Sequence, residues 1–249
     1  MSESAIEWTE HTWNPVTGCT KVSPGCKHCY AETMARRLEA MRAVGYENGF
    51  ELTLHPSRLQ QPTLRKRPTT YFVNSMSDLF HDAVPDEFLN QVFEVIRQTP
   101  HHTYQILTKR AQRLPKYFSS RVCPKNVWLG VSVENRKHGV PRIEYLRRVS
   151  VGIRFLSIEP LLEDVGQLDL TDIQWVIVGG ESGHKARPMK QSWADAIRQQ
   201  CEAQDVAFFF KQWGGWGADG VRRHKKANGR LLHGRTWDEL PMTGINTTY

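Results

Sequence analysis

Three of the five cysteines of the chain lie within one short stretch. They are Cys19, Cys26 and Cys29, and their spacing is C-x6-C-x2-C. Thiolates clustered at this density usually hold a metal ion or an iron–sulfur cluster. A disulfide is disfavoured, because three cysteines leave one thiol without a partner. The spacing therefore predicts a metal centre on this stretch, called the cysteine loop below (residues 18–30).

Two kinds of metal centre are compatible with the cysteine loop. A closed zinc site takes four ligands, so zinc would need His11, His28 or Cys123 in addition to the three thiolates. Iron–sulfur clusters are normally held by four cysteines, so a four-iron cluster on three thiolates leaves one iron open to another ligand. We favour the cluster. Zinc, or thiols with a structural or redox role, are the alternatives.

The cysteine loop resembles the cluster motif of the radical S-adenosylmethionine enzymes. Those enzymes usually have three residues in the first gap and an aromatic residue before the third cysteine, whereas here the first gap is six residues and Tyr30 follows Cys29. The loop is thus a longer variant of that motif. The whole chain is similar to a group of uncharacterised phage and bacterial proteins called the three-Cys-motif family. This similarity is carried by residues 8–15, 25–30, 74–80, 179–183 and 211–214.

Length, composition and charge limit the class of protein. A chain of 249 residues with 39% hydrophobic residues is long enough for one large core. No apolar run approaches the ~18 residues of a membrane-spanning helix, and residues 1–10 lack the features of a secretory signal. We therefore expect a cytoplasmic protein with reduced thiols and no membrane partner. The net charge of +7 favours nucleic acid as a partner, although a basic surface alone does not require one.

The apolar pattern repeats one unit along the chain: a short strand, a polar tip and a helix. Predicted strands span residues 71–73, 104–107, 127–131, 153–158, 175–178 and 207–210. These runs are continuously apolar, as expected of parallel strands that are covered by helices on both faces. With a strand before the cysteine loop, the pattern contains about seven units, fewer than the eight of a closed barrel.

We therefore predict an α/β fold: an open, partial TIM-like barrel of repeated βα units with a basic C-terminal hairpin or tail. The resemblance to radical S-adenosylmethionine enzymes implies the same fold. A flavodoxin-like or Rossmann-like sheet is the alternative. We place the βα core that carries the cysteine loop at residues 1–212 and a basic, aromatic extension at residues 213–249.

Local signals predict where several helices begin and end. A helix over residues 31–44 should stop at Gly45, and another should begin at Pro85, since proline suits a first helical turn. Ser192 is followed three residues later by Asp195, which predicts a capping box at the start of a late helix.

Polar side chains stand at the end of the predicted strands. In barrels of this kind the active site lies at the C-terminal ends of the strands, so we expect these tips to face one site. Beyond the cysteine loop, the tips supply Asn74, Ser75, Asp78, Lys109, Ser132, Glu134, Glu159, Glu181 and Lys211. The same residue types also cap helices and end strands in proteins without a site there, so each tip has a purely structural alternative.

The resemblance implies two cofactors: a 4Fe–4S cluster held by Cys19, Cys26 and Cys29, and S-adenosylmethionine at the open iron. It also implies an electron donor such as a flavodoxin or ferredoxin, and removal of a hydrogen atom from the substrate. The residues assigned to cofactor binding on this basis are Tyr30, Asn74, Ser75, Ser132 and Glu134. The residues assigned to catalysis are Cys123, Glu159, Glu181 and Lys211.

The end of the chain is basic and aromatic. Residues 221–236 contain arginines, lysines and histidines but no acidic residue. Basic groups bind phosphates and aromatic rings stack on bases, so we expect a nucleic-acid surface here. Its candidate residues are Trp216, Arg222, Arg223, Lys225 and Lys226. The alternative is a solvated β-hairpin that turns at Asn228-Gly229, a strong turn pair.

Together these features predict an iron–sulfur enzyme similar to the radical S-adenosylmethionine enzymes. Its expected reaction is modification or repair of a base in nucleic acid, DNA or RNA, or in a nucleotide. Two alternatives remain open: a zinc-containing nucleic-acid-binding protein without catalysis, and an iron–sulfur protein that senses redox state.

Overall fold

A computed structural model describes residues 2–3 and 6–242. The chain divides into two compact units. Unit 1 takes in residues 1–131 and 142–152, and unit 2 takes in residues 132–141 and 153–249. The boundary that we expect between residues 212 and 213 stays a prediction. No helix in the described part of the chain is both long and apolar enough to cross a membrane.

Unit 1 is built on short parallel strands that lie side by side in the order of the chain. Its strands are β1 (Ser2–Glu3), β2 (His11–Trp13), β3 (Val16–Thr17), β4 (Thr53–Leu54), β5 (Thr70–Val73), β6 (Thr103–Thr108) and β7 (Val127–Ser132). Strands β2, β5, β6 and β7 pair in parallel, with Tyr71 opposite Tyr104 and Ile106 opposite Leu129. Strand β1 is antiparallel to β2, and β3 pairs antiparallel with β4.

Unit 1 also contains α-helices. They are α1 (Tyr30–Ala40), α2 (Asp86–Gln98), α3 (Arg113–Tyr117) and α4 (Arg142–Arg147). Helix α2 begins at Asp86, one residue after the predicted start, because Pro85 is the extended N-cap residue, and its apolar face is buried from Phe88 to Ile96. Phe93 of this helix forms an aromatic cluster with Phe80 and Tyr117, with ring centroids 5.4–6.4 Å apart.

Helix α1 ends earlier than the predicted stop at Gly45. Arg42 adopts a left-handed backbone conformation, with φ of 54°. The N–H of Ala43 then donates to the carbonyl of Leu38, and the N–H of Arg42 donates to the carbonyl of Glu39. This pair of hydrogen bonds is a Schellman motif, which satisfies the last carbonyls of the helix. The predicted end was wrong because a non-glycine residue occupies the left-handed position.

Unit 2 repeats the same arrangement. Its elements are β8 (Ile153–Ile158), β9 (Trp175–Gly179), β10 (Ala207–Gln212), α5 (Gln191–Ala203) and α6 (Lys225–Asn228). The three strands are parallel and in chain order, with Phe155 opposite Trp175 and Val176 opposite Phe208. Trp175 and Phe155 are completely buried, which explains the continuously apolar sequence of these strands.

The capping box predicted at Ser192 is wrong. Helix α5 begins at Gln191, and Lys190 occupies the N-cap position without a side-chain hydrogen bond. The carbonyl of Lys190 already accepts the N–H of Trp193, so Ser192 lies within the first turn. Asp195 instead contacts His233, with 2.6 Å between Oδ1 and Nε2.

The C-terminal tail does turn back on itself, but not at Asn228-Gly229 as predicted. Residues Lys225–Asn228 form helix α6, which Gly229 ends with φ of 69°. The Asn228 amide donates to the carbonyl of Gly214 at 2.9 Å, which stabilises the helical turn. The antiparallel bridges of the tail lie on either side of this helix, between Trp216 and Arg222 and between Leu232 and Arg235.

The predicted fold class, an α/β partial barrel of βα units, is confirmed. Strands β2 and β5–β10 each run parallel to their neighbours within their unit, and in both units they follow chain order. The Rossmann-like and flavodoxin-like alternatives are wrong, because both require a strand order that reverses at a switch point.

Candidate metal centre

The cysteine loop is anchored to the tip of β5. The N–H of Gly18 donates to the carbonyl of Met76 at 3.0 Å, and the Ser77 hydroxyl donates to the carbonyl of Gly18 at 2.6 Å. Gly18 has φ of 75°, and a Cβ there would lie 2.0 Å from the carbonyl oxygen of Glu51. Only glycine fits this position, so the start of the loop is held close to the second strand of the parallel series.

The three loop cysteines are free thiols and partly exposed. Cys26 ends a short 3-10 helix, and its Sγ lies 3.8 Å from the Ser23 hydroxyl. Cys29 occupies the N-cap position of α1. Among the side chains of residues 6–242, no three or more His, Cys, Asp or Glu are arranged to hold a metal ion.

The Cys19 thiol contacts a buried arginine from the tip of β6. Arg110 Nη1 lies 3.4 Å from Cys19 Sγ, and its side chain is 6% exposed. Burial raises the pKa of the Cys19 thiol, and Asp78 raises it further, whereas the Arg110 guanidinium lowers it. Cys26 is also near enough to raise it. The net effect is a raised pKa for the Cys19 thiol, with burial as the largest cause.

Asp78 fixes Arg110 in place. Its Oδ1 accepts the Thr108 hydroxyl at 2.7 Å and the N–H of Phe80 at 3.0 Å, and its Oδ2 accepts the N–H of Lys109 at 3.0 Å. Arg110 Nη1 donates to the same Oδ2 at 3.3 Å. The prediction included Asp78 and Lys109 among the strand tips but missed Arg110, whose only signal is its position directly after that tip.

The predicted cofactor-binding residues of unit 1 differ in whether their polar atoms already have hydrogen-bond partners within the protein. Asn74 is 4% exposed, and its Oδ1 accepts the N–H of Val16 at 3.3 Å, but its Nδ2 is buried without a hydrogen-bond partner. The Ser75 hydroxyl already donates to Asn14 at 3.2 Å. Tyr30 is 68% exposed. Asn74 is therefore the residue with a donor left for a ligand.

In unit 2, Glu159 and Lys211 form an ion pair at the tips of β8 and β10. Lys211 Nζ lies 3.3 Å from Glu159 Oε2, which also accepts the Ser157 hydroxyl at 3.3 Å. A Cβ on Gly179, at the end of β9, would lie 2.4 Å from Glu159 Oε1. Three neighbouring strand ends therefore meet around one carboxylate.

The remaining predicted tips of unit 2 are buried. Ser132 and Glu134 are 1% and 0% exposed. Glu181 is held by Arg187, which sequence analysis did not identify because no local pattern marks it. Since the predicted tips fall in both units, their convergence on a single site stays a prediction.

Cys123 differs in character from the three thiols of the cysteine loop. It is buried, and burial raises its pKa to about 12. A thiol this difficult to ionise is a poor metal ligand and a poor nucleophile. Its predicted role as an extra ligand therefore gains no support from its surroundings, whereas its role as a hydrogen donor, which uses the protonated thiol, stays a prediction.

Some of the predicted cations of the basic tail are exposed and unpaired among the described contacts, whereas one forms an ion pair with an acidic residue. Arg222, Lys225 and Lys226 are exposed. Arg223 forms two hydrogen bonds to Asp219, at 2.6 and 2.9 Å, and these lower the pKa of Asp219 to about 2. The prediction missed this acid, because it lies just before the basic stretch. The Trp216 indole N–H donates to the carbonyl of Ala186 at 2.7 Å, which fixes its ring.

A family model described as "Protein of unknown function (DUF5131)" matches residues 3–241. The chain belongs to this family. No curated protein matches its sequence. The phage association that we expect stays a prediction.

Similar solved structures are forms of spore photoproduct lyase. The complex with dinucleoside spore photoproduct is 12% identical, with a TM-score of 0.47, and a mutant with bound AdoMet and the same ligand is 13% identical, also at 0.47. Both matches cover 80% of this chain and 62% of that chain, so this chain spans under two thirds of their length. Another mutant is 12% identical over 90% of this chain and 70% of that chain, with a TM-score of 0.48.

Proposed function

We propose that this chain is a radical S-adenosylmethionine-type iron–sulfur enzyme that modifies or repairs a base in nucleic acid or a nucleotide. The observation that carries the proposal is the cysteine loop. Three free thiols lie on one loop, which is hydrogen-bonded to the tip of β5. At the same tip, Asn74 keeps a buried amide nitrogen without a partner.

In type and number the donor set suits a 4Fe–4S cluster, although no three of the described side chains are arranged around a single metal position. Thiolates are the ligands that such clusters take, and three of them leave one iron for S-adenosylmethionine. When bound, these two groups supply the one-electron chemistry that removes a hydrogen atom from a substrate. The chain contributes binding, orientation and exclusion of water.

Asn74 is assigned to S-adenosylmethionine. A buried donor without a partner costs about 1–3 kcal/mol, so the site is completed when an acceptor oxygen meets Nδ2. The atom is a donor, and so it suits a carboxylate or ribose oxygen of the cofactor rather than its ammonium group. Ser75 supports this position indirectly, since its hydroxyl donates to Asn14, which in turn accepts the N–H of Met76.

Glu159 and Lys211 are assigned to the substrate side of the reaction. Their ion pair is partly exposed, at 16% and 19%, so both groups are within reach of a ligand. A carboxylate and an ammonium held together are suited to move a proton or to orient a polar base edge. Glu181, by contrast, is occupied by Arg187.

The nucleic-acid partner is supported by charge. Arg222, Lys225 and Lys226 are exposed cations with no acidic partner among the described contacts, and the chain as a whole carries +7. An electron donor such as a flavodoxin or ferredoxin is part of the proposal, because the reaction consumes electrons one at a time.

The test begins with protein reconstituted with iron and sulfide without oxygen. We expect about four irons per chain and an EPR signal of the reduced protein that S-adenosylmethionine alters. Replacing Cys19, Cys26 or Cys29 by alanine should abolish iron binding, whereas Cys201→Ala, a buried thiol in α5, should retain it. Full iron content in a loop variant, or stoichiometric zinc without sulfide, would contradict the proposal.

A second variant tests Asn74. Asn74→Asp keeps the oxygen that accepts Val16 N–H and replaces the unpartnered amide nitrogen by an oxygen. We expect normal iron content and S-adenosylmethionine binding weakened about tenfold, which is about 1.4 kcal/mol. Calorimetry on the reconstituted protein measures it. Unchanged affinity would remove Asn74 from the cofactor site.

A further inference from the structure

Arg110 makes an unusually complete set of contacts around the first cysteine of the loop. Its Nη1 donates to Cys19 Sγ at 3.4 Å and to Asp78 Oδ2 at 3.3 Å. Its Nη2 donates to the carbonyl of Thr20 at 3.0 Å and to the Thr20 hydroxyl at 2.8 Å. Each terminal nitrogen carries two hydrogens, so all four terminal N–H groups are used, one of them on sulfur.

The surrounding contacts leave the guanidinium little freedom. Asp78 accepts three further hydrogen bonds, from Thr108, Phe80 and Lys109, which hold its carboxylate at the tip of β6. Arg110 is 8% exposed, so its position is set by these partners rather than by water.

Thr20 adds a second constraint from the loop side. His81 Nδ1 accepts the N–H of Ala83 at 3.1 Å, so the ring proton of neutral His81 lies on Nε2. Nε2 lies 2.8 Å from the Thr20 oxygen and donates to it. The Thr20 hydroxyl oxygen thus accepts hydrogen bonds from both His81 and Arg110. These bonds hold Thr20, the residue after Cys19, against the Arg110 guanidinium.

We propose that Arg110 is a positioning residue that sets the reduction potential of a cluster bound through Cys19. This inference rests on the proposed function. Reduction adds negative charge to a cluster and its sulfur ligands, and a charge-assisted hydrogen bond to a ligand sulfur stabilises that charge. Arg110 therefore makes the cluster easier to reduce, and it also orients Cys19 as a ligand.

Arginine is required at this position because a single point charge cannot make the same contacts. The planar fork reaches Cys19, Asp78 and Thr20 at once, whereas a lysine ammonium has three donors on one atom. Arg110→Lys should therefore keep the ion pair with Asp78 and lose the bond to sulfur.

The experiment is a redox titration of the reconstituted full chain, followed by EPR, with iron content measured on each sample. In Arg110→Met we expect iron content near wild type and a more negative midpoint potential. The reduced-to-oxidised ratio at a fixed potential should fall about tenfold, which is about 59 mV for a one-electron couple. Arg110→Lys should shift in the same direction by less, and it carries the test if the methionine variant does not fold.

Two controls separate the hydrogen bond from charge and packing. The double variant Asp78→Asn with Arg110→Met removes both members of the ion pair, so the local net charge is unchanged, and a potential still below wild type supports the bond to sulfur. Arg113→Met removes an arginine whose side chain is 16% exposed and which bonds to the carbonyls of His81 and Val84 but not to Cys19. Its potential should match wild type.

The outcomes distinguish the two proposals. Wild-type potentials in Arg110→Lys and in the double variant overturn the role of Arg110 and leave the cluster in place. A folded wild-type chain that takes up no iron and sulfide overturns the proposed function, and the role of Arg110 with it.

Discussion

Arg187 donates three hydrogen bonds to the carboxylate of Glu181. The backbone N–H and Nε of Arg187 both donate to Oε2 at 2.8 Å, and Nη2 donates to Oε1 at 2.5 Å. The Glu181 side chain is 5% exposed and that of Arg187 is 29% exposed. A carboxylate held this way anchors the segment that follows β9, so the prediction that Glu181 is catalytic would require Arg187 to release it.

The first prediction concerns the stability of this pair. Arg187→Met leaves the buried Glu181 carboxylate without its cation, and breaking a buried pair in this way typically costs about 3–5 kcal/mol. We expect the free energy of unfolding to fall by about 3 kcal/mol, at the lower end of this range, because the backbone N–H of residue 187 still donates to the carboxylate. Urea unfolding of the full chain measures it.

The matched control is an exposed ion pair of the same unit. Arg136 lies 3.4 Å from Asp164, with side chains 60% and 55% exposed. Arg136→Met should cost less than about 1 kcal/mol. Equal losses in the two variants would mean that burial does not strengthen the Glu181–Arg187 pair.

The strands could be predicted from the sequence because their burial leaves a local trace. Residues 153–158 are continuously apolar apart from Arg154 and Ser157, and β8 has the predicted bounds. The strand is buried on both faces, so almost every position had to be apolar. The same logic located the apolar face of α2.

The partners of the site could not be predicted, because they depend on long-range contacts. Arg110 and Cys19 are 91 residues apart in sequence, and no periodicity relates them.

Local sequence signals also gave wrong predictions where the backbone conformation of a single residue decided the structure. Arg42 ended α1 with a left-handed conformation that glycine usually takes, and α6 replaced the turn expected at Asn228-Gly229.

The second prediction concerns Gly179. A methyl group at this position would lie 2.4 Å from Glu159 Oε1 and would push the carboxylate away from Lys211. Gly179→Ala should destabilise the protein by about 1 kcal/mol or less, because the carboxylate is the end of a flexible, partly exposed side chain that can shift at the cost of its ion pair. In Gly152→Ala the nearest atom to the new methyl is 3.9 Å away, so stability should stay near wild type. A stable Gly179→Ala variant would show that the carboxylate can move freely.

The third prediction concerns pH. Burial lowers the pKa of His102 from its ordinary value of 6.5, so the folded protein keeps a neutral ring and binds fewer protons than the unfolded chain. The stability from this difference is present above about pH 6.5 and is lost as the pH falls below that value. The free energy of unfolding should therefore decrease between about pH 7.5 and about pH 5.5.

The His102→Gln variant isolates this contribution. Glutamine can still donate to the Pro62 carbonyl, which His102 Nε2 meets at 3.1 Å, but it does not titrate. The pH slope should be shallower in this variant than in wild type. Identical slopes in wild type and His102→Gln would exclude His102 as the source.

The last prediction concerns the basic tail. The exposed cations Arg222, Lys225 and Lys226 should each neutralise one phosphate, so replacing all three by glutamine should weaken nucleic-acid binding and make it less sensitive to salt. For duplex DNA, log K decreases as log salt rises, and this dependence should become less steep by about 0.9 for each lost contact. Fluorescence anisotropy with single-stranded and duplex oligonucleotides, over a range of salt concentrations, measures the affinity and its salt dependence.

Arg223→Gln is the matched control, because Asp219 already balances the charge of Arg223, and this variant should change the affinity much less. If Arg223→Gln weakened binding as much as the triple variant, nucleic acid would have to displace Asp219, and the tail would rearrange on binding.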